Sequence, residues 1–190
     1  MPPSTPLSEA ELQALVVRAK EGDTEAFAGI YDHFFVQIYR YAAFRLPKEV
    51  AEDTTADVFV KAWEKLHTYK VQSSVPFGAW LFRIARYTVI DVYRSRRGFD
   101  EVPDNLPDTD TFNRAEARME RNDTLRIVRQ ALDQLPARYR EVLLLTYVSE
   151  LPYSEVARVL GTSEGSVRVL KLRALRKLES FLPPEMGLTL

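Results

Sequence analysis

Residues 98–113 divide this chain. They carry five carboxylates, at Asp100, Glu101, Asp104, Asp108 and Asp110, and neither a lysine nor an arginine. Apolar side chains are few there and follow no period, and Pro103, Asn105 and Pro107 interrupt the stretch in close order. A segment of this composition cannot bury enough apolar surface to offset the entropy of ordering it, so it reads as an extended linker. Each flank must then close a core of its own.

Both flanks read as helices, with strand signals almost absent. Ser8 and Glu11 have capping-box spacing ahead of Leu12, Leu15, Val16 and Ala19, and Glu21-Gly22 ends that helix. A second carries Phe27, Ile30, Tyr31, Phe34, Ile38 and Tyr41 and breaks near Leu46-Pro47. A third repeats Ala51, Thr55, Val58, Ala62 and Leu66 at helical spacing. After a polar loop over residues 70–74, Pro76 suits the first turn of a fourth, whose apolar stripe is Phe77, Leu81, Ile84, Thr88 and Val92. Beyond the linker, four more groups mark four helices: Leu125, Val128, Leu132 and Leu135; Val142, Leu143 and Thr146; Val156 and Leu160; Val167, Leu170, Ala174 and Leu178. The expected fold is all-α, with two small helical domains, residues 1–97 and 114–190, joined by the acidic flexible linker 98–113.

Several function classes fall away on composition. With no cysteine there is neither a disulfide scaffold nor a thiolate metal site, and His33 and His67, the two histidines, belong to no ligand-spaced cluster. No glycine-rich loop suited to phosphates occurs. The expectation is a non-enzymatic protein that needs no metal or cofactor. The longest apolar run, near residues 142–145, is far too short to span a bilayer, and the amino terminus has no basic or apolar leader pattern. No membrane insertion and a cytoplasmic location are expected.

A formal net charge of −1 gives no global basic footprint. Distribution matters more than the sum. One basic patch gathers Arg83, Arg86, Arg94, Arg96 and Arg97, and a second Arg168, Lys171, Arg173, Arg176 and Lys177, with the acidic linker between them.

The second patch belongs to a helix-turn-helix pattern. Ala157 is small enough for close helix packing, Gly161 can adopt a left-handed helix end, Ser163 can cap the next helix and Val167 can plug the space between the two. The following helix carries Ser166, Arg168, Val169, Lys171, Leu172, Arg173 and Arg176. It combines cations for phosphates, arginines for guanine and apolar atoms for thymine methyl groups, the equipment of a major-groove reader. In the first patch, Trp80, Phe82, Tyr87 and Tyr93 alternate with arginines, and Arg83, Tyr87, Arg94 and Arg97 share a stripe. Arginine for phosphate and an aromatic ring for an unstacked base suit a melted strand better than a duplex. Trp80 is expected in the core. The third helix turns Asp53, Asp57, Val60, Lys61 and Glu64 outward, a face that reads equally as solvated surface or as a docking site.

These segments together resemble the extracytoplasmic-function sigma factors over nearly the whole chain. Residues 51–63, AEDTTADVFVKAW, resemble region 2.2 of that family; FGAWLFRIAR at 77–86 with Asp91 and Arg94 resembles regions 2.3 and 2.4; LPARYREVL at 135–143, continuing into the helix-turn-helix, resembles region 4. The resemblance implies a subunit that binds core RNA polymerase and directs promoter recognition and DNA melting. It implies docking on the beta-prime clamp helices through Asp53, Asp57, Val60 and Lys61, and on the beta flap through region 4. It further implies minus-ten contacts from Arg83, Arg86, Tyr87, Arg94 and Arg97, and minus-thirty-five contacts from Ser166, Arg168, Val169, Lys171, Arg173 and Arg176. The linker would thread the RNA channel of the polymerase, and an anti-sigma factor is a candidate partner. Tyr87 and Val169 stand where the family often has an asparagine and a polar residue, which points to an uncommon promoter sequence. The competing reading is a stand-alone helix-turn-helix regulator of duplex DNA, which accounts for the carboxy-terminal lobe only.

Overall fold

The computed structural model describes residues 7–71, 75–97 and 123–184. The chain separates into two compact units, Met1–Gly98 and Phe99–Leu190. Among the described residues the structure is helical, with no strand. The linker and both of its expected ends lie outside the described residues.

In the first unit the Ser8 hydroxyl accepts from the Glu11 backbone N–H, while the Glu11 carboxylate accepts from the Ser8 N–H at 2.8 Å. This reciprocal cap opens α1, Glu9–Lys20, and it holds the Glu11 carboxyl below its ordinary pKa. The helix closes at Glu21, and Gly22 turns the chain at φ +93°, a conformation that a side chain would strain. Asp23 then caps α2, Thr24–Ala43, accepting from the Ala26 N–H at 3.0 Å. That bond, with the Arg18 guanidinium beside it, lowers the Asp23 pKa. Pro47 ends the connection and precedes α3, Lys48–Lys65, which runs into a single 3-10 turn, Leu66–Thr68. The last helix of the unit is α4, Phe77–Arg97.

The core lies where α2, α3 and α4 meet. Ile30, Phe34, Ile38 and Tyr41 face Ala51, Val58, Phe59 and Ala62, with Leu81, Phe82, Ala85 and Val89 closing the third side. Thr55 is fully buried at no polar cost, because its hydroxyl donates to the Ala51 carbonyl at 2.7 Å. The buried surface of α4 is wider than its expected stripe and rotated from it. Phe82, Ala85 and Val89 are fully buried, whereas Ile84 and Val92 are only half-buried. Packing against both α2 and α3 is the cause, since a helix wedged between two neighbours buries a broader arc than one lying on a single neighbour.

In the second unit, α5 spans Asp123–Asp133 and α6 Ala137–Leu143, continuing as a π-helical turn, Leu144–Val148. Next come α7, Tyr153–Leu160, and α8, Glu164–Glu179. The Thr146 hydroxyl donates to the Val142 carbonyl at 2.6 Å, competing with the backbone for that acceptor as the ladder widens. Arg140 is buried at the carboxy end of α5. Its guanidinium donates to the carbonyls of Leu132 at 2.9 Å, of Asp133 at 2.5 Å and of Leu135 at 3.4 Å. The Leu132 and Asp133 carbonyls belong to the last turn of α5, where helical acceptors go unfilled, Leu132 also accepting from the Leu135 N–H at 3.1 Å. Charge-assisted bonds of this kind stabilise by about 1.5–3 kcal/mol each. An arginine read from sequence as part of a docking segment is thus also a structural cap.

Candidate functional site

Three surfaces carry the residues singled out from sequence. On α3, Asp53, Asp57 and Val60 share the outer face, all exposed, with Val60 at 56%. Lys61 does not join them. It is half-buried, and its ammonium donates to the Thr88 hydroxyl on α4 at 3.3 Å. Beside the acidic face runs a row of rings that periodicity alone had assigned in part to the core. Phe27, Tyr31, Phe35 and Tyr39 recur every fourth residue along α2, and Tyr31 is exposed. Tyr31 meets Phe35 at 5.2 Å and Phe59 of α3 at 4.5 Å between ring centroids, and Phe27 meets the exposed Trp63 at 4.9 Å. The four-residue spacing was the signal for this row; with Ile30, Phe34 and Ile38 interleaved, it merges in sequence with the core stripe.

The second surface is a groove of 460 Å³ between α3 and α4. Lys61, Lys65 and Arg83 supply three cations against the single carboxylate of Asp91, and Trp80 and Tyr87 add aromatic walls. Trp80 is half-buried rather than a core residue. It packs on Tyr69 and Phe77 at 5.4 and 5.2 Å and turns the rest of its ring to the groove. Tyr87 is 56% exposed, with the Arg86 guanidinium 5.7 Å from its ring centroid. Arg83, Tyr87 and Arg94 lie exposed opposite the buried arc of α4, while Phe82, grouped with them by sequence, points into the core. Of Arg97 only the backbone is described. The surface pairs positive charge with accessible ring faces, the combination that holds unstacked nucleotides.

The third surface is α8. Gly161 closes α7 at φ +64°, Ala157 is buried where the two helices approach, and Val167 is fully buried between them. Ser163 caps α8, accepting from the Ser166 N–H at 3.2 Å, and its hydroxyl lies 2.9 Å from that of Ser166. Val167, Ala174 and Leu178 anchor one side of the helix, which leaves Arg168, Val169, Leu172, Arg173 and Arg176 exposed on the other. Lys171 differs from its neighbours. It is half-buried and donates to the phenol oxygen of Tyr153, a bond that raises its pKa, with a smaller contribution from Tyr147.

Among the described residues there is no cluster of acidic or histidine side chains able to hold a metal ion, and no helix long and apolar enough to cross a membrane.

Comparison with known proteins places two family models on the chain: sigma-70 region 2 on residues 30–99 and sigma-70 region 4 on residues 125–178. The chain is 32% identical over 187 residues to the ECF RNA polymerase sigma factor BldN of Streptomyces coelicolor, covering 96% of this chain and 70% of that protein. It is also 32% identical to the ECF RNA polymerase sigma factor ShbA of Streptomyces griseus, covering 88% and 93%. Among solved structures, CnrH in complex with the cytosolic domain of CnrY superposes with a TM-score of 0.70 at 30% identity, covering 90% of this chain and 96% of that one. With both sigma regions matched in order, and relatives of this identity aligned over most of their length, the chain belongs to the extracytoplasmic-function RNA polymerase sigma factors.

Proposed function

We propose that the three surfaces divide the work of a sigma factor. As a member of the family the chain directs promoter recognition in transcription initiation. In our reading, Asp53, Asp57 and Val60 dock α3 on the clamp helices of core polymerase, and the aromatic row on α2 widens that contact. Arg83, Arg86, Tyr87 and Arg94 hold the minus-ten region as it melts, with Lys61 joining them from across the groove and Arg97 continuing the stripe. Ser166, Arg168, Val169, Arg173 and Arg176 read the minus-thirty-five element in the major groove, and the unit that carries them docks on the beta flap. The observation that carries this reading is the pairing of two unlike basic surfaces: one has open ring faces suited to single strands, the other is an exposed helix suited to duplex.

The chain would act in the cytoplasm and leave the chemistry to the polymerase. CnrH was solved with the cytosolic domain of CnrY bound, and on that likeness we propose that this chain too takes a protein partner, an anti-sigma factor. A stand-alone duplex regulator would use α8 and leave the α3–α4 groove idle.

A promoter-length duplex separates the two readings. With core polymerase present, the chain is expected to shift the duplex and make minus-ten thymines reactive to permanganate; without core, it is expected to do neither. A sequence-specific shift by the chain alone, unchanged on adding core, would favour the stand-alone regulator.

A further inference from the structure

We propose that Lys171 is a positioning residue of the promoter-reading helix: Tyr147 and Tyr153 hold its ammonium, so it contacts no DNA phosphate and instead fixes the rotation of α8 and the aim of Arg168. This rests on the reading of α8 as the helix that meets the upstream element.

The Lys171 ammonium lies 5.1 Å from the ring centroid of Tyr153 and 5.4 Å from that of Tyr147, and it donates to the Tyr153 phenol oxygen. Tyr147 sits in the π-helical turn and Tyr153 is the first residue of α7. One cation therefore ties three successive elements of the unit together. The Arg168 guanidinium lies 5.9 Å from the same Tyr153 ring, so the ring that holds Lys171 also steadies an exposed arginine one turn earlier on α8. An ammonium that donates to the Tyr153 phenol oxygen and lies beyond that hydroxyl, with the Tyr147 ring centroid 5.4 Å away, has its protons directed toward the two tyrosines, along the surface of the unit. To reach a phosphate it would have to leave both rings. Arg168, Arg173 and Arg176 are exposed, and the Tyr153 ring beside the Arg168 guanidinium steadies it without burying it.

Phosphate contact and positioning differ in their salt dependence. A lost phosphate contact makes the slope of log affinity against log salt shallower by about 0.9. A lost positioning residue leaves that slope unchanged and blurs the choice among sequences. Holoenzymes carrying K171M, K171R, Y153F or R173A would be titrated with promoters varied in the upstream element, at several salt concentrations. K171M is expected to keep the wild-type slope and to lose about tenfold in discrimination, the scale of one misread base pair. K171R should restore discrimination, because a guanidinium also donates to a phenol oxygen; Y153F, which removes that oxygen, should blur it. A slope shallower by about 0.9 in K171M, or discrimination unchanged in both K171M and Y153F, would overturn the proposal. If R173A still relaxes recognition when those two do not, only the role of Lys171 fails. If none of the variants alters recognition, the reading of α8 fails with it.

Discussion

Replacing Asp53 and Asp57 together by lysine is expected to weaken binding to core polymerase at least about 100-fold, on the scale of close charge pairs measured across other interfaces. Both carboxylates are exposed on one face of α3, four residues apart, so the substitution turns two negative charges into two positive ones without touching the core. A basic partner surface would then repel where it had attracted. The loss should be greatest at low salt and shrink as screening rises, a dependence opposite to that of the wild-type complex. Copurification with core across a salt series measures it. If the double variant retains wild-type affinity, the acidic face is not the docking site, and the aromatic row of Tyr31 and Phe35 takes its place as the surface to test.

Removing Arg168 and Arg173 together is expected to abolish selective use of the upstream element. Both side chains are exposed on the side of α8 opposite Val167, Ala174 and Leu178, so truncation leaves the packing of the helix intact. An arginine that reads a base contributes about 1–3 kcal/mol at one position, and its loss relaxes the choice there; one that meets phosphate weakens every sequence alike and reduces the salt slope by about one. Holoenzyme binding to single-position promoter variants distinguishes the two roles for each arginine. Unchanged upstream recognition in the double variant would remove α8 from the reader's role.

What was legible in the sequence was what is decided locally. The Ser8–Glu11 cap, the break at Pro47 and the left-handed end at Gly161 each depend on a few neighbouring residues, and each stands in the structure where the sequence placed it. The helix-turn-helix was legible for the same reason: its turn needs glycine at one position and small or branched apolar residues at two others. Features decided by neighbours distant in sequence were harder to read. The buried arc of α4 depends on α2 and α3 lying on two sides of it, so Phe82 went inward although Arg83 and Arg86 follow it in sequence, and Trp80 stayed half out. Lys61 left the acidic face because Thr88, 27 residues further on, offers it an acceptor. The tyrosines around Lys171 could not be read from a helical wheel of α8, since both belong to other elements.

The central claim, that this chain selects where polymerase starts, is tested most directly by transcription from a promoter library with core polymerase alone and with the chain added. The account predicts a restricted set of new start sites that appear only with the chain. Those promoters should share a minus-ten and a minus-thirty-five element, and the set should lose its shared upstream element when Arg168 and Arg173 are removed. Start sites that are the same with and without the chain would contradict it.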